Sequence, residues 1–333
     1  MAVNANTIQT YDNPVLKEDL AKTYSMIDPE KTPFLTSIGT SEPAAQPHHE
    51  WTVLDLQAVD ANNRVVEGDD APPVDPADHP LRVSNYTQIS DKRVKASSTS
   101  EASQANAGNV HKLGKQMLLK MRALKRDQEV MLLSNIPANP GAENVARAAA
   151  GLPAWIRTNT LAGVGGIDPS LSSGDTGYPD TAAGIGTLRT LTEDLFSEAI
   201  EIAWTSGASP SIALVGAGNK RLISRTFTGN STRYKDSIDR SLVAAVDVYD
   251  SDFGEKSIIP THFLPTLNAD GADNAHWMPL YDPEFLSVSY LETTKQKDLA
   301  ETGHSKDRLV WNEYTLVCEN EKAHSIIRDL TNG

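Results

Sequence analysis

Residues 60–80 (DANNRVVEGDDAPPVDPADHP) constrain this chain most, because they set Glu67, Asp69, Asp70, Asp75 and Asp78 among prolines at 72, 73, 76 and 80. Such a stretch buries too little apolar surface to offset the entropy of ordering it. On either side the residues change character. Trp51, Val53, Leu54 and Leu56 precede it, and Leu81, Val83, Tyr86, Ile89 and Val94 follow, all of types that favour strands. The pattern predicts two long arms of one hairpin with an acidic, proline-rich tip. A lone two-stranded hairpin is marginal in water, and a structureless connection of about twenty residues inside a compact domain is uncommon. Two readings follow: the hairpin packs on a neighbouring molecule, or it is an edge ribbon folded back on its own domain.

The 333 residues allow one large domain or two ordinary ones. With 30 basic against 44 acidic residues the net charge is -14, which repels nucleic-acid backbones and anionic lipid and argues against a dedicated DNA binder. A single cysteine, Cys318, can form neither an internal disulfide nor a CxxC pair. The first residues, MAVNANTIQTYDNP, lack the basic and apolar regions of a signal peptide, and no run approaches the roughly 18 apolar residues of a membrane helix. The expectation is a protein that acts where it is made or is carried out inside something larger.

Residues 1–46 read as a polar arm, not a core, punctuated by Pro14, Pro29, Pro33 and Pro43. The strongest helix is predicted over about 109–135. There Leu113, Met117, Leu118, Met121, Leu124, Met131 and Leu132 form an apolar stripe, and Lys115, Lys120, Arg122, Lys125 and Arg126 a basic face diluted by Asp127 and Glu129. At 1.5 Å per residue it spans about 40 Å, a scaffold element for lying across a sheet or helix pair. Residues 137–187 read as an extended, partly irregular excursion anchored by Leu152-Pro153-Ala154-Trp155-Ile156. Thr192-Glu193-Asp194-Leu195 opens a capped helix to about 206. A short strand at 212–215, a helix at about 219–227 and paired strands at 242–249 and 256–260 complete a compact α/β unit. Two final strands, 285–291 and 308–318, flank a polar loop at 292–307.

Motifs that resemble chemistry all fall short. Gly216-Ala217-Gly218-Asn219-Lys220 follows a strand as a phosphate loop would, but Arg221 occupies the third glycine position and no Lys-Ser/Thr ending follows. A tight strand-to-helix turn explains it. Asp250-Ser251-Asp252-Phe253-Gly254-Glu255 breaks calcium-loop spacing after Gly254 and reads as a hairpin turn. His48-His49-Glu50 has Val53 where a zincin needs its second histidine. Asp69, Asp70, Asp75, Asp78 and His79 are interrupted by prolines and read as a solvated tip. Cys318 lies within a predicted strand, a poor place for an exposed nucleophile. The helix's basic face lacks interleaved aromatics, so stacking on nucleic acid is unsupported. The sequons at Asn85 and Asn230 mean little without a secretory signal.

The order of arm, hairpin with acidic tip, long helix, α/β unit and returning strands resembles a tailed-bacteriophage major capsid protein with the Hong Kong 97-like fold, an α+β class. Local stretches resemble one branch of these proteins: Asn85-Tyr86-Thr87-Gln88-Ile89, Lys125-Arg126-Asp127-Gln128-Glu129, Gly151-Leu152-Pro153-Ala154-Trp155-Ile156, Ser251-Asp252-Phe253-Gly254, Leu280-Tyr281-Asp282-Pro283, and Glu313-Tyr314-Thr315-Leu316 with Asn320-Glu321-Lys322-Ala323-His324. The resemblance implies an N-terminal arm (1–46), an E-loop hairpin (47–97), and a peripheral domain (98–184) with a spine helix at about 109–135. An axial domain (185–275) and C-terminal strands returning to the peripheral domain (276–333) complete it. It implies a structural subunit of hexamers and pentamers in an icosahedral or prolate head shell, with no enzyme activity, no catalytic, metal or cofactor-binding residues, and no cofactor. The implied partners are copies of itself, a scaffolding protein, a portal, and a decoration protein or maturation protease. DNA is enclosed without sequence-specific binding, no membrane is involved, and the location is the virion capsid after assembly in the bacterial cytoplasm. No Lys lies between Glu50 and Asp91, which argues against an isopeptide cross-link from the hairpin. A cellular nanocompartment shell of the same fold and a nucleotide-using α/β enzyme remain as alternatives.

Overall fold

The apolar stripe of the long helix forms α3, Leu113–Leu133, with Leu113, Met117, Leu124, Leu132 and Leu133 buried. A computed structural model describes residues 31–54, 59–68, 70, 78–103, 112–227, 247–264, 277–301 and 303–331. Positions 109–111 of the expected helix, most of 242–249 and part of the hairpin tip lie outside them. The described chain is a mixed α+β fold with three sheets.

Helix α3 lies across a four-stranded sheet ordered β1 (Gly39–Thr40), β12 (Leu286–Asp298), β13 (Ser305–Cys318), β4 (Gln88–Ser97). Val94 of β4 and Val310 of β13 meet Leu113, Met117 and Leu124 in a shared core. Both C-terminal strands run further than their apolar residues suggest. The expected loop at 292–307 is mostly ladder, paired out to Asp298 with Arg308. Residues 293–298 are exposed, so no apolar alternation marks them as strand. Cross-strand polar contacts replace it: the Trp311 indole donates to Glu292 at 2.7 Å, and Arg308 pairs with Asp298.

A second sheet holds β2 (His48–Val53), β3 (Leu81–Tyr86), β7 (Thr176–Thr181) and β6 (Ser170–Ser173) in that order. The hairpin arm expected to run from 81 through 94 is broken at Thr87. β3 stays paired with β2, while β4 crosses to β13. The cause is a buried polar junction: Thr87 Oγ1 donates to Glu313 at 2.5 Å, and the Asn85 amide donates to the Leu316 carbonyl at 2.9 Å while accepting from Ala150 N–H at 2.9 Å. Asn85 is fully buried, so this sequon is a structural tie. Residues 137–187 hold more order than expected, namely the single turn α4 (Leu152–Trp155) and the β6–β7 hairpin, whose irregular register hides a period of two.

The six-stranded sheet is ordered β5 (Thr160–Leu161), β14 (Ser325–Ile327), β11 (Met278–Tyr281), β8 (Ile212–Val215), β10 (Gly254–Pro260), β9 (Val248–Ser251). Against it pack α5 (Glu193–Thr205) and α6 (Ala217–Thr226), closing a core of Phe196, Ala199, Ile200, Val215, Ile223 and Met278. Thr192 caps α5 by accepting from Leu195 N–H at 3.3 Å, as its sequence predicts. Of the strands after residue 275, β12 and β13 lie under α3, whereas β11 and β14 complete the six-stranded sheet. A cut at 275/276 therefore does not follow sheet membership. Two short helices remain, α1 (Pro33–Ser37) and α2 (Ser98–Ala102).

Candidate functional site

The described part of the first 46 residues is not wholly outside the core. Phe34 of α1 is fully buried, edge-on to Tyr281 at 5.2 Å between ring centres. What seats it is Glu129 on α3, whose two carboxylate oxygens accept Phe34 N–H at 2.8 Å and Leu35 N–H at 2.7 Å. Read from sequence as a charge diluting a basic face, Glu129 is fully buried and caps the start of α1. Burial pushes its carboxyl above the usual range, opposed by the two N–H groups. Glu129→Leu strands both donors without an acceptor and is expected to cost about 2 to 4 kcal/mol in urea unfolding, Glu129→Gln about half that. Equal midpoints for Leu, Gln and parent would show that Glu129 does not hold α1.

The hairpin leaves the body from an equally fixed base. Six residue pairs join β2 to β3, from His48 with Tyr86 to Val53 with Leu81. The Trp51 indole donates to the Cys318 carbonyl at 2.9 Å and lies 5.3 Å from the Trp155 ring. The base thus folds against its own domain, which keeps half of the edge-ribbon reading. Beyond Val53 the chain changes. Val59, Val65 and Val66 are exposed at 98%, 63% and 75%, and Asp78 and His79 are exposed too. Among the described residues beyond the base, these three valines are uncovered within an otherwise polar segment.

The motifs that imitate chemistry have structural roles. Lys220 donates to Asp247 at 3.0 Å and to the Ile258 carbonyl at 2.9 Å, tying α6 to β10, so its charge is already engaged. Residues 250–255 are the end of the β9–β10 hairpin, turning at Asp252-Phe253 and closed by Ser251 Oγ donating to the Gly254 carbonyl at 2.7 Å. His48 stacks on Tyr86 at 4.7 Å, and Glu50 pairs with Arg82 at 3.6 Å on the face of the ribbon. Cys318 is buried, and burial raises its thiol well above the ordinary value. Among the described residues no group of His, Cys, Asp or Glu could hold a metal, and no helix is long and apolar enough to cross a membrane. A cavity of about 160 Å³ sits between the hairpin base and Leu171, with Arg157 at its mouth paired to Asp175 at 2.9 Å.

The described residues form a mixed α+β fold in which α1 and the hairpin base are each tied down by hydrogen bonds. Solved structures share it. The chain superposes on the capsid protein of cyanophage A-1(L) with a TM-score of 0.66 at 14% identity, covering 97% of this chain and 98% of that one. For the capsid of cyanophage P-SCSP1u the TM-score is 0.62 at 10% identity, covering 99% and 97%. A curated relative, the major capsid protein of Escherichia phage Phieco32, is 34% identical over 131 residues, spanning 39% of this chain and 36% of that protein's length. The profile of the SU10 major capsid protein family matches residues 3–331, and the chain belongs to that family.

Proposed function

We propose that this chain is the repeating structural subunit of a tailed-phage head, assembling with copies of itself into hexamers and pentamers of a closed shell around DNA. Family membership over nearly the whole chain is the observation that carries this reading. In the Hong Kong 97-like scheme, residues 1–46 are the arm, 47–97 the E-loop and α3 the spine. The peripheral domain is 98–184 apart from β5, joined by β12 and β13, and the axial domain is 185–275 joined by β5, β11 and β14. The exposed valines beyond the hairpin base support an E-loop lying on a neighbour. The net charge of -14 suits a container wall to which packed DNA does not adhere. A scaffolding protein, a portal and a decoration protein or protease are the further partners, and assembly takes place in the bacterial cytoplasm.

Expressed with its scaffolding protein, the chain is expected to form closed particles by electron microscopy and light scattering. Protease is expected to nick residues 60–80 readily in free subunits and slowly in particles, because a polar tip is protected only when it lies on a neighbour. Monomers or small dimers alone would end the shell reading, and equal cleavage in both forms would end the docked tip.

A further inference from the structure

Segments far apart in sequence wall the cavity of about 160 Å³ at the hairpin base. Val53 of β2, Leu81 and Val83 of β3, Leu171 of β6, Trp155 of α4 and Cys318 of β13 make its floor apolar. An apolar cavity of about 150 Å³ stays dry and takes a molecule the size of benzene. This one has the room and the lining to do the same.

One wall also carries an unanswered donor. Trp155 is 2% exposed, and its indole Nε1–H reaches no acceptor within the protein. A buried donor is costly to leave unpaired, and most have a partner. The neighbouring indole shows the ordinary arrangement: Trp51, 5.3 Å away between ring centres, donates to the Cys318 carbonyl at 2.9 Å.

The mouth is charged but balanced, with Arg157 and Lys322 against Asp175 and Glu321. Arg157 donates to Asp175 at 2.9 Å and lies 3.5 Å from Glu321, whose carboxylate also accepts from Thr158 Oγ1 at 3.0 Å. An ionic ligand therefore meets no surplus of opposite charge there. A neutral one keeps the balance.

We propose that this cavity binds a neutral, ring-sized molecule carrying one oxygen acceptor, its ring on the apolar floor and its oxygen accepting from Trp155 Nε1–H. The floor supplies affinity, and the indole selects the acceptor. Val53 and Leu81 are the last pair of the hairpin base, so the occupant sits where the hairpin leaves the body and joins it to β6 and residues 320–322. The site is complete in a single copy and does not depend on the shell reading.

Cyclohexanone, benzene and cyclohexanecarboxylate are the probes, titrated into the full chain. Cyclohexanone at millimolar concentration is expected to raise the melting temperature by mass action. With the five tryptophans fluorine-labelled, the resonance that Trp155→Phe removes is expected to move most in fluorine NMR. Trp155→Phe should weaken cyclohexanone about five-fold, the worth of one hydrogen bond, relative to its effect on benzene, which has no oxygen to lose. Leu171→Phe, which fills the floor, is expected to keep the fold by circular dichroism and lose both probes. Cyclohexanecarboxylate is expected not to bind. A parent that ignores cyclohexanone would show a space for water only and end the proposal. So would equal weakening of cyclohexanone and benzene in Trp155→Phe, undiminished binding in Leu171→Phe, or a carboxylate that binds as well as the ketone.

Discussion

A subunit in which residues 54–80 are replaced by Asp-Gly is expected to fold, to melt within about 4 °C of the parent, and to stop closing normal shells. Val53 and Leu81 are the last hairpin pair, so a two-residue Asp-Gly turn joins them with the twist such turns favour. None of the removed residues that the structure describes is buried. The body keeps its three cores, drawn from α1, α3 to α6 and the sheets behind them. Assembly loses the exposed valines 59, 65 and 66. Covering one valine fully is worth about 1.5 kcal/mol or more, and a shell repeats that contact in every copy. Circular dichroism melting reads the body, and microscopy of the reaction with scaffold reads the shell. Shells of parental size, yield and heat resistance would make the hairpin ornamental.

How far the sequence reveals this fold depends on whether a feature is local. α3, the Thr192 cap, β8 and the β9–β10 turn each follow from residues within a turn or two of one another, and each lies where its pattern puts it. Long-range polar ties leave no such trace. Glu129 reads as surface charge because its partners, Phe34 and Leu35, lie more than ninety residues earlier. The break at Thr87 is set by Glu313, and the outer half of β12 is exposed on both faces and so carries no period of two. The hairpin's exposed tip was visible as composition, since prolines and acids cannot build a core. The packing of residues 162–169 against 184–189 was not, since it depends on the close approach at Gly163 and Gly186 and on Arg328 beneath Ile167.

Mild acid is expected to destabilise the free subunit through His324. Its ring is fully buried and accepts Asp282 N–H at Nδ1, 3.3 Å away. Burial lowers its pKa to about 3, with the Phe285 backbone pulling the other way. A histidine whose folded pKa lies below its unfolded value near 6.5 adds stability that is complete above 6.5 and is lost as pH falls toward 3. Each pH unit in that window removes about 1.4 kcal/mol, so lowering pH from 6.5 to 5 costs about 2 kcal/mol. His49, half-buried and also lowered by desolvation, works in the same direction. Glu129 works against it, because a carboxyl raised by burial binds its proton more tightly in the folded state. Asp307, held low chiefly by Arg93, and Glu292, held low chiefly by Trp311, lose their contributions only in the ordinary carboxylate range near pH 4, below this interval. Urea midpoints at pH 7 and pH 5 should therefore separate by about 2 kcal/mol in the parent and by less than half of that in His324→Gln, whose amide can still accept from Asp282 but does not titrate. A His324→Gln subunit with the parent's full acid loss would assign the sensitivity elsewhere, to His49 first.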